Sequence, residues 1–318
     1  MKILISSAAA KVPLVRAMQL ASSRISDTIK IIAGDLSSSA LAFYVADESW
    51  VMPPTTDIFL GEIIGGCKKR QIKLIFPTRD SELLFWAKHR DKFLEDGIKI
   101  VVSAFNPLSI CLDKFSFSRF CSEKALSVIP SYININDCYF DNFVVKERFG
   151  AGSRSIGINL NVEQATSHAK FLKEPIFQPF IEGREFSADL WVDRDHKVKG
   201  VILRTRDLVI NGESQVTTTF FNSEIEKKIV ALIESIGLYG PVVVQGIIDS
   251  CQNLHIIECN PRFGGASTLG IAAGVDSFFW SILDALDFDL NSYSFSPVPQ
   301  QLRQIRLPAD IYHNVDKI

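Results

Sequence analysis

The strongest constraint on the fold lies in the first hundred residues, where short apolar runs alternate with segments of helical spacing. The runs "KILIS", "IKIIAG", "SWVMP", "IKLIFP" and "IKIVVS" are rich in β-branched residues. Between them, Val12 to Ser22, Ile58 to Arg70 and Glu82 to Phe93 carry apolar residues at the spacing of a helix face. Strands separated by helices predict βαβ units and a parallel sheet. Asp35 follows the second strand, where a ribose-binding carboxylate often sits in Rossmann-like domains. The first turn, "SSAAAKV", has no glycine fingerprint, so Asp35 reads as a turn residue and nicotinamide binding is not expected.

From Asn106–Pro107 onward the pattern changes. "SICLDKFSFSRFCSEKAL" reads as helical. "FVVKERFGAGSRSIGINL" reads as a strand ending in a lysine, a loop with three glycines and a return strand. "IFQPFIEGREFSADLWVD" and "KVKGVILRTRDLVINGESQVTTTF" continue as sheet. Glu224 to Ile236 is an amphipathic helix, and "VVVQGIIDSCQNLHIIECN" is a hairpin. The proline-punctuated end, from "FSFSPVPQQLRQ", is expected to pack over the surface.

Within the hairpin, "IIECNPRFGGAS" (Ile256 to Ser267) sets Glu258, Asn260 and Arg262 at alternate positions, which on a strand places them on one face. One reading is a solvated edge strand, which Pro261 permits because proline donates no ladder bond. The other is a metal-and-anion site. Mg²⁺ prefers hard oxygen ligands and shares them with substrate phosphates. Glu258 and Asn260 supply a carboxylate and an amide oxygen, and Gln245 on the partner strand offers a third. Arg262 would meet developing anionic charge. Lys146 with Gly150, Gly152 and Gly157 could surround phosphates with an ammonium and backbone N–H groups, or simply form a hairpin turn. The spacing is not that of a P-loop. In "FQPFIEGREF", backbone groups could meet an adenine edge and Glu185 a ribose hydroxyl; an ordinary connection closed by Gly183 is the alternative. Arg204 and Arg206 share a strand face and could grip a carboxylate, or be solvated.

Composition excludes several classes. With 34 basic and 36 acidic residues among 318, net charge is −2, without the basic footprint of a nucleic-acid binder. No run reaches the roughly 18 apolar residues of a membrane span, and the N-terminal run is read as a strand, not a signal peptide. Six cysteines (67, 111, 121, 138, 251 and 259) show no CxxC pair, which argues against structural zinc and for a reduced, cytoplasmic protein with free thiols. No Ser–His–Asp or Cys–His arrangement stands out.

"LDK" (Asp113–Lys114), "VVKERFGAGSRSIGI", "QPFIEGREF" and "VVVQGII…IIECNPRFGG" occur in this order, and the chain resembles the ATP-grasp superfamily. Its closest flavour is that of carbamoyl phosphate synthetase large-subunit halves and biotin carboxylase. The resemblance implies an α/β chain: a Rossmann-like domain over 1–106, an α+β ATP-grasp domain over 107–295 with a lid about 125–181, and a tail over 296–318. It implies ATP, and Mg²⁺ or Mn²⁺, as cofactors. Lys114, Lys146, Gly150, Gly152 and Ser153 would lie around the phosphates, Gln178, Pro179, Phe180 and Ile181 around adenine, and Glu185 at the ribose. Gln245, Glu258 and Asn260 would hold metal. Arg262, with Lys146 and Arg206, would act on the reacting group. Glutamine at 245 departs from the version of the family with a carboxylate there, although the carbamoyl phosphate synthetase flavour tolerates it, and it removes one negative charge. The implied reaction is ATP-dependent ligation of a small carboxylate to an amine through an acyl phosphate. Carbamoyl phosphate synthesis and a non-catalytic ATP-binding module are the alternatives, and a homodimer is allowed. A single ATP-grasp unit argues against carbamoyl phosphate synthesis.

Overall fold

A computed structural model of the chain describes residues 1–150, 152 and 155–312. The first hundred residues form a five-stranded parallel sheet from β1 (Lys2–Ser6), β2 (Lys30–Asp35), β3 (Glu48–Val51), β4 (Ile72–Pro77) and β5 (Lys99–Ile100), in the order β3-β2-β1-β4-β5. Helices α1 (Val12–Ser23), α2 (Leu60–Arg70) and α3 (Asp80–Glu95) are interleaved with the strands. The expected parallel architecture is therefore present.

The predicted helix after Asn106 is two helices, α4 (Phe105–Leu112) and α5 (Lys114–Glu123). Asp113 separates them with extended backbone, and its carboxylate caps α5 by accepting from the N–H groups of Phe115 and Ser116. Apolar spacing that runs on through Asp113 hides this N-cap from a periodicity reading.

A three-stranded antiparallel sheet follows, ordered β7-β6-β8, from β6 (Phe143–Glu147), β7 (Gly157–Leu160) and β8 (Pro175–Pro179), with α6 (Val162–Ala169) against it. The large antiparallel sheet contains β9 (Arg184–Val192), β10 (Val198–Thr205), β11 (Leu208–Ile210), β12 (Glu213–Phe220), β13 (Gly240–Ile248) and β14 (Leu254–Asn260). Its order is β11-β12-β10-β9-β13-β14, and β15 (Arg303–Ile305) also pairs with β12, so the proline-rich end adds a strand. Helix α7 (Ser223–Ile236) packs its buried face, Ile225, Ile229, Leu232, Ile233 and Ile236, into the core beneath this sheet. Asn222 caps its start, and Gly237, at φ 78°, ends it in the left-handed conformation glycine adopts without a Cβ clash.

Helices α8 (Ser267–Ala272) and α9 (Ser277–Ala285) follow, lying between α1 of the first unit and the large sheet. Phe278 of α9 stacks on Phe263 at 4.0 Å and meets Phe76 of β4 edge-on at 5.8 Å. Phe263, directly after Arg262, thereby joins the large sheet to the parallel one. Among the described residues no helix is long and apolar enough to cross a membrane. All six cysteines are free, four of them buried.

Candidate active site

The hairpin of β13 and β14 sets Gln245 directly opposite Glu258 and Val243 opposite Asn260. A bulge between Gln245 and Gly246 gives β14 one extra residue, Ile257, immediately before Glu258; such irregularities re-aim side chains beside functional sites. The same register continues across the sheet: Gln245 opposes Ser187 of β9, Ser187 opposes Arg204 of β10, and Arg204 opposes Thr219 of β12. Directly opposed residues of antiparallel strands share a face. One row of the sheet therefore reads Glu258, Gln245, Ser187, Arg204, Thr219. On the same face, two residues along β9, stand Glu185 and Asp189. Sequence reasoning missed Ser187 and Asp189, although "EFSAD" carries the same polar alternation that marks β14.

Most of these side chains hold one another. Asn260 Nδ2 donates to Glu258 Oε1 at 2.9 Å, and Asn260 Oδ1 accepts from Arg262 Nη2 at 3.3 Å. The strand ends at Asn260, so Arg262 does not continue the alternation; its N–H turns back to the Asn260 carbonyl at 2.8 Å. Its guanidinium forks onto Asp80 at the start of α3, with Nε–Oδ1 3.0 Å and Nη2–Oδ2 2.6 Å. Asp80 comes from the first sheet's domain, and no local pattern marked it.

Arg204 and Arg206 do not form a joint carboxylate grip. Arg204 is 3% exposed and pairs through Nε with Asp189 Oδ2 at 2.6 Å. Asp189 Oδ1 accepts from Ser267 Oγ, which accepts from Gly264 N–H, so this pair anchors the turn after Arg262. Arg206 reaches Glu185 at 3.1 Å and the Gly212 carbonyl. Burial, and secondarily the charge of Arg204, pull the Arg206 guanidinium below its ordinary value while Glu185 opposes them. Arg204 Nη1 and Ser187 Oγ are buried with no protein partner.

Lys146, on β6, is 5% exposed. Burial pushes its ammonium down to about 8; Glu258 partly offsets this, Lys114 adds to it and Glu185 opposes it. Burial raises the Glu258 carboxyl, but Lys146 and then Lys114, the Asn260 amide and Arg262 together hold it below the usual carboxylate range. Lys114 donates to the Gly150 carbonyl at 2.6 Å, which ties α5 to the glycine loop. Gly150 and Gly152 have φ of 118° and 81°, a region that residues with a Cβ rarely adopt. Ser153 lies outside the described residues.

The side chain of Gln178 is buried and donates to Ser131 Oγ at 2.8 Å, and Phe180 N–H donates to the Asn142 carbonyl. Both are thus engaged in holding β8 in place, while Pro179 and Ile181 are half-buried at the crossing into β9.

The donor set suits a hard cation shared with phosphates. Glu258, Asn260 and Gln245 supply one carboxylate and two amides, and no three of His, Cys, Asp and Glu cluster for a metal among the described residues. A site with a single carboxylate relies on phosphate oxygens to complete the shell. The orphaned Ser187 Oγ and Arg204 Nη1, with Lys146, are the groups such a ligand would satisfy.

Residues 111–266 match the ATP-grasp domain family, and residues 3–101 the PylC-like N-terminal domain family. The L-amino acid ligase of Bacillus licheniformis has a similar structure, at TM-score 0.74 and 14% identity over 97% of this chain and 80% of that one. The biotin carboxylase domain of the Hydrogenobacter thermophilus 2-oxoglutarate carboxylase, solved with MgADP, ADP and bicarbonate, superposes at 0.72 and 18% identity over 92% and 71%. N5-carboxyaminoimidazole synthetase of Staphylococcus aureus, complexed with ADP, does so at 0.72 and 18% over 93% and 79%. No curated protein sequence matches the chain. The chain thus has an ATP-grasp fold behind a PylC-like N-terminal domain, and resembles the ATP-grasp carboxylate–amine ligases.

Proposed function

We propose that the protein is an ADP-forming ligase that joins a small carboxylate to an amine. The observation that carries this reading is buried Lys146 set against a sheet face on which Glu258, Asn260 and Gln245 gather. A buried ammonium with a lowered pKa favours a ligand that brings negative charge. Lys114, Lys146 and the Gly150–Gly152 loop would hold the phosphates of ATP, with the β8–β9 crossing at Pro179 and Ile181 beside adenine and Glu185 near the ribose. Glu258, Asn260 and Gln245 would hold Mg²⁺, which when bound neutralises charge on the transferring phosphoryl group. Arg262, held in place by Asp80, would orient the substrate acyl group.

The chemistry follows from that placement. A carboxylate oxygen attacks the γ-phosphorus and ADP leaves. The amine then attacks the acyl carbon, phosphate departs, and the nitrogen loses a proton. Catalysis here is positioning and charge neutralisation, so no side-chain nucleophile is required. The test is an ADP-release screen with paired acids and amines. Mg²⁺-dependent release of ADP and phosphate should rise when both partners are present. AMP and pyrophosphate as products would overturn the reading.

A further inference from the structure

A cavity of about 180 Å³ lies behind β14, between α5 and α7. Its walls are apolar. Leu254 and Ile256 come from β14, Ala231 and Leu232 from α7, and Leu126 and Val128 from the segment that follows α5. Cys121 of α5 adds a thiol that burial pushes up to about 12, so it stays neutral and acts as a small apolar group. Lys228, the one charged residue of the lining, and Ser127 are both exposed, which places them at the mouth. Among the described residues Lys228 has no ion-pair partner; not even Glu224, one helical turn earlier on α7, pairs with it.

The cavity and the candidate active site lie on opposite faces of one strand. Ile256 opposes Gly246 and Glu258 opposes Gln245, while consecutive residues of a strand such as β13 point to opposite faces. The bulge at Ile257 therefore turns Ile256 to the cavity and Glu258 to the polar row. The segment after α5 is held along β14, where Ile256 N–H donates to the Ser127 carbonyl at 2.8 Å and Ile129 N–H to the Ile256 carbonyl at 2.9 Å. It turns there at Ala125, φ 54°, where Leu126 N–H closes on the Cys121 carbonyl at 2.9 Å. Glycine is the usual residue at such a helix end. An alanine is strained there, and this one lines the cavity.

Size and charge together define what fits. An apolar cavity of about 150 Å³ holds a benzene ring, so this one takes a body of about six to eight carbon atoms. One unpaired cation at the mouth suits one negative charge. We propose that the cavity binds a small monocarboxylate with a compact apolar body, a ring or a branched chain, whose carboxylate meets Lys228. Leu126, Val128, Leu232 and Leu254 take the body out of water, and Ser127 offers a hydroxyl at the mouth. The proposal stands apart from the ligase reading, because none of these residues belongs to the groups placed around ATP.

Titration calorimetry with benzoate and isocaproate, each against its neutral amide, tests this. At least one acid should bind at submillimolar concentration, with its amide weaker by roughly two- to fivefold, the range for an exposed charge pair. Lys228→Met should bring acid and amide level. Ala231→Leu should fill the cavity and abolish binding of both, with circular dichroism reporting the fold. Ala125→Gly, which relaxes the turn and removes one methyl from the wall, should weaken both by roughly fourfold and leave their ratio unchanged. Should Ala231→Leu fail to fold, the other two variants still decide. Neither acid bound by the folded protein, an amide that binds as well as its acid, full affinity in a folded Ala231→Leu protein, or acetate binding as tightly as benzoate each overturns the proposal.

Discussion

At the carboxyl ends of the parallel strands, where open α/β sheets usually take ligands, the buried polar groups answer one another. Asp35 accepts from the N–H groups of Ala9 and Ser37. Glu82, 1% exposed, accepts from Ser6 Oγ, Trp86 Nε1 and the N–H groups of Thr78 and Arg79. Thr78 Oγ1 donates back to the Ser6 carbonyl. Ser6 ends β1 and Thr78 follows β4, so these bonds fill the crevice at the switch point of the sheet. On the polar face of the antiparallel sheet, Ser187 Oγ and Arg204 Nη1 have no partner, and Lys146 is buried as a cation. The crevice between β1 and β4 is filled by these bonds without a ligand. The other sheet holds polar groups whose burial is costly without a partner.

The largest effect that would sharpen this contrast belongs to Glu258. Glu258→Gln keeps the shape and the bond from Asn260 but removes the only carboxylate of the putting-together of Gln245, Asn260 and Glu258. Loss of one preorganised electrostatic group should lower ADP release by about 10²–10³-fold, with the fold retained. Full activity would remove Glu258 from the site.

Lys146 gives the next largest effect. Its pKa of about 8 is set by burial, with Glu258, Lys114 and Glu185 as the charges around it. Below pH 8 the ammonium is charged and attracts phosphate. As pH rises above 8 the free protein loses that proton, and ADP affinity measured without metal should fall towards roughly tenfold per pH unit, as one lost proton requires. The stability sign is opposite: the unfolded lysine keeps its proton to higher pH, so this group's penalty on the fold eases between about 8 and its ordinary value near 10.5. Lys146→Met should flatten both dependences. An ADP affinity flat from pH 7 to 9.5 in the unaltered protein would break the comparison.

What could be read in advance followed strand periodicity. The row of Glu258 and Asn260 and its partner Gln245 were visible because a strand repeats every two residues, and a hairpin fixes which residues oppose. The parallel sheet was visible for another reason, the alternation of β-branched apolar runs with segments of helical spacing. Ser187 and Asp189 obeyed that rule too, but their alternation lay inside a strand whose bulky apolar residues dominated the pattern. Asp80, Lys11, Glu213 and Arg306 were not visible, since each is an ordinary charged residue in its own segment. Glu213 and Arg306 meet through the pairing of β12 with β15, while Lys11 and Asp80 reach their partners because Phe263 and Phe278 dock the large sheet onto the parallel one. Arg262 was assigned to the strand face, but Pro261 ends the ladder and its guanidinium is placed by Asp80 instead.

The smallest effect is the most direct test of the contrast, because it compares two serines that are both wholly buried. Ser6 Oγ donates to Glu82 Oε2 at 2.9 Å, so Ser6→Ala removes a bond and leaves a carboxylate oxygen with one donor fewer. That should cost about 1 kcal/mol or somewhat more, read as a lower denaturation midpoint, with MgADP affinity unchanged. Ser187 Oγ has no partner to lose. Ser187→Ala should therefore be neutral to slightly stabilising, within about 0.5 kcal/mol, yet weaken MgADP binding or slow turnover several-fold. Equal destabilisation by both substitutions, with neither touching the nucleotide, would mean that Ser187 is satisfied as fully as Ser6 and that the polar row is ordinary core.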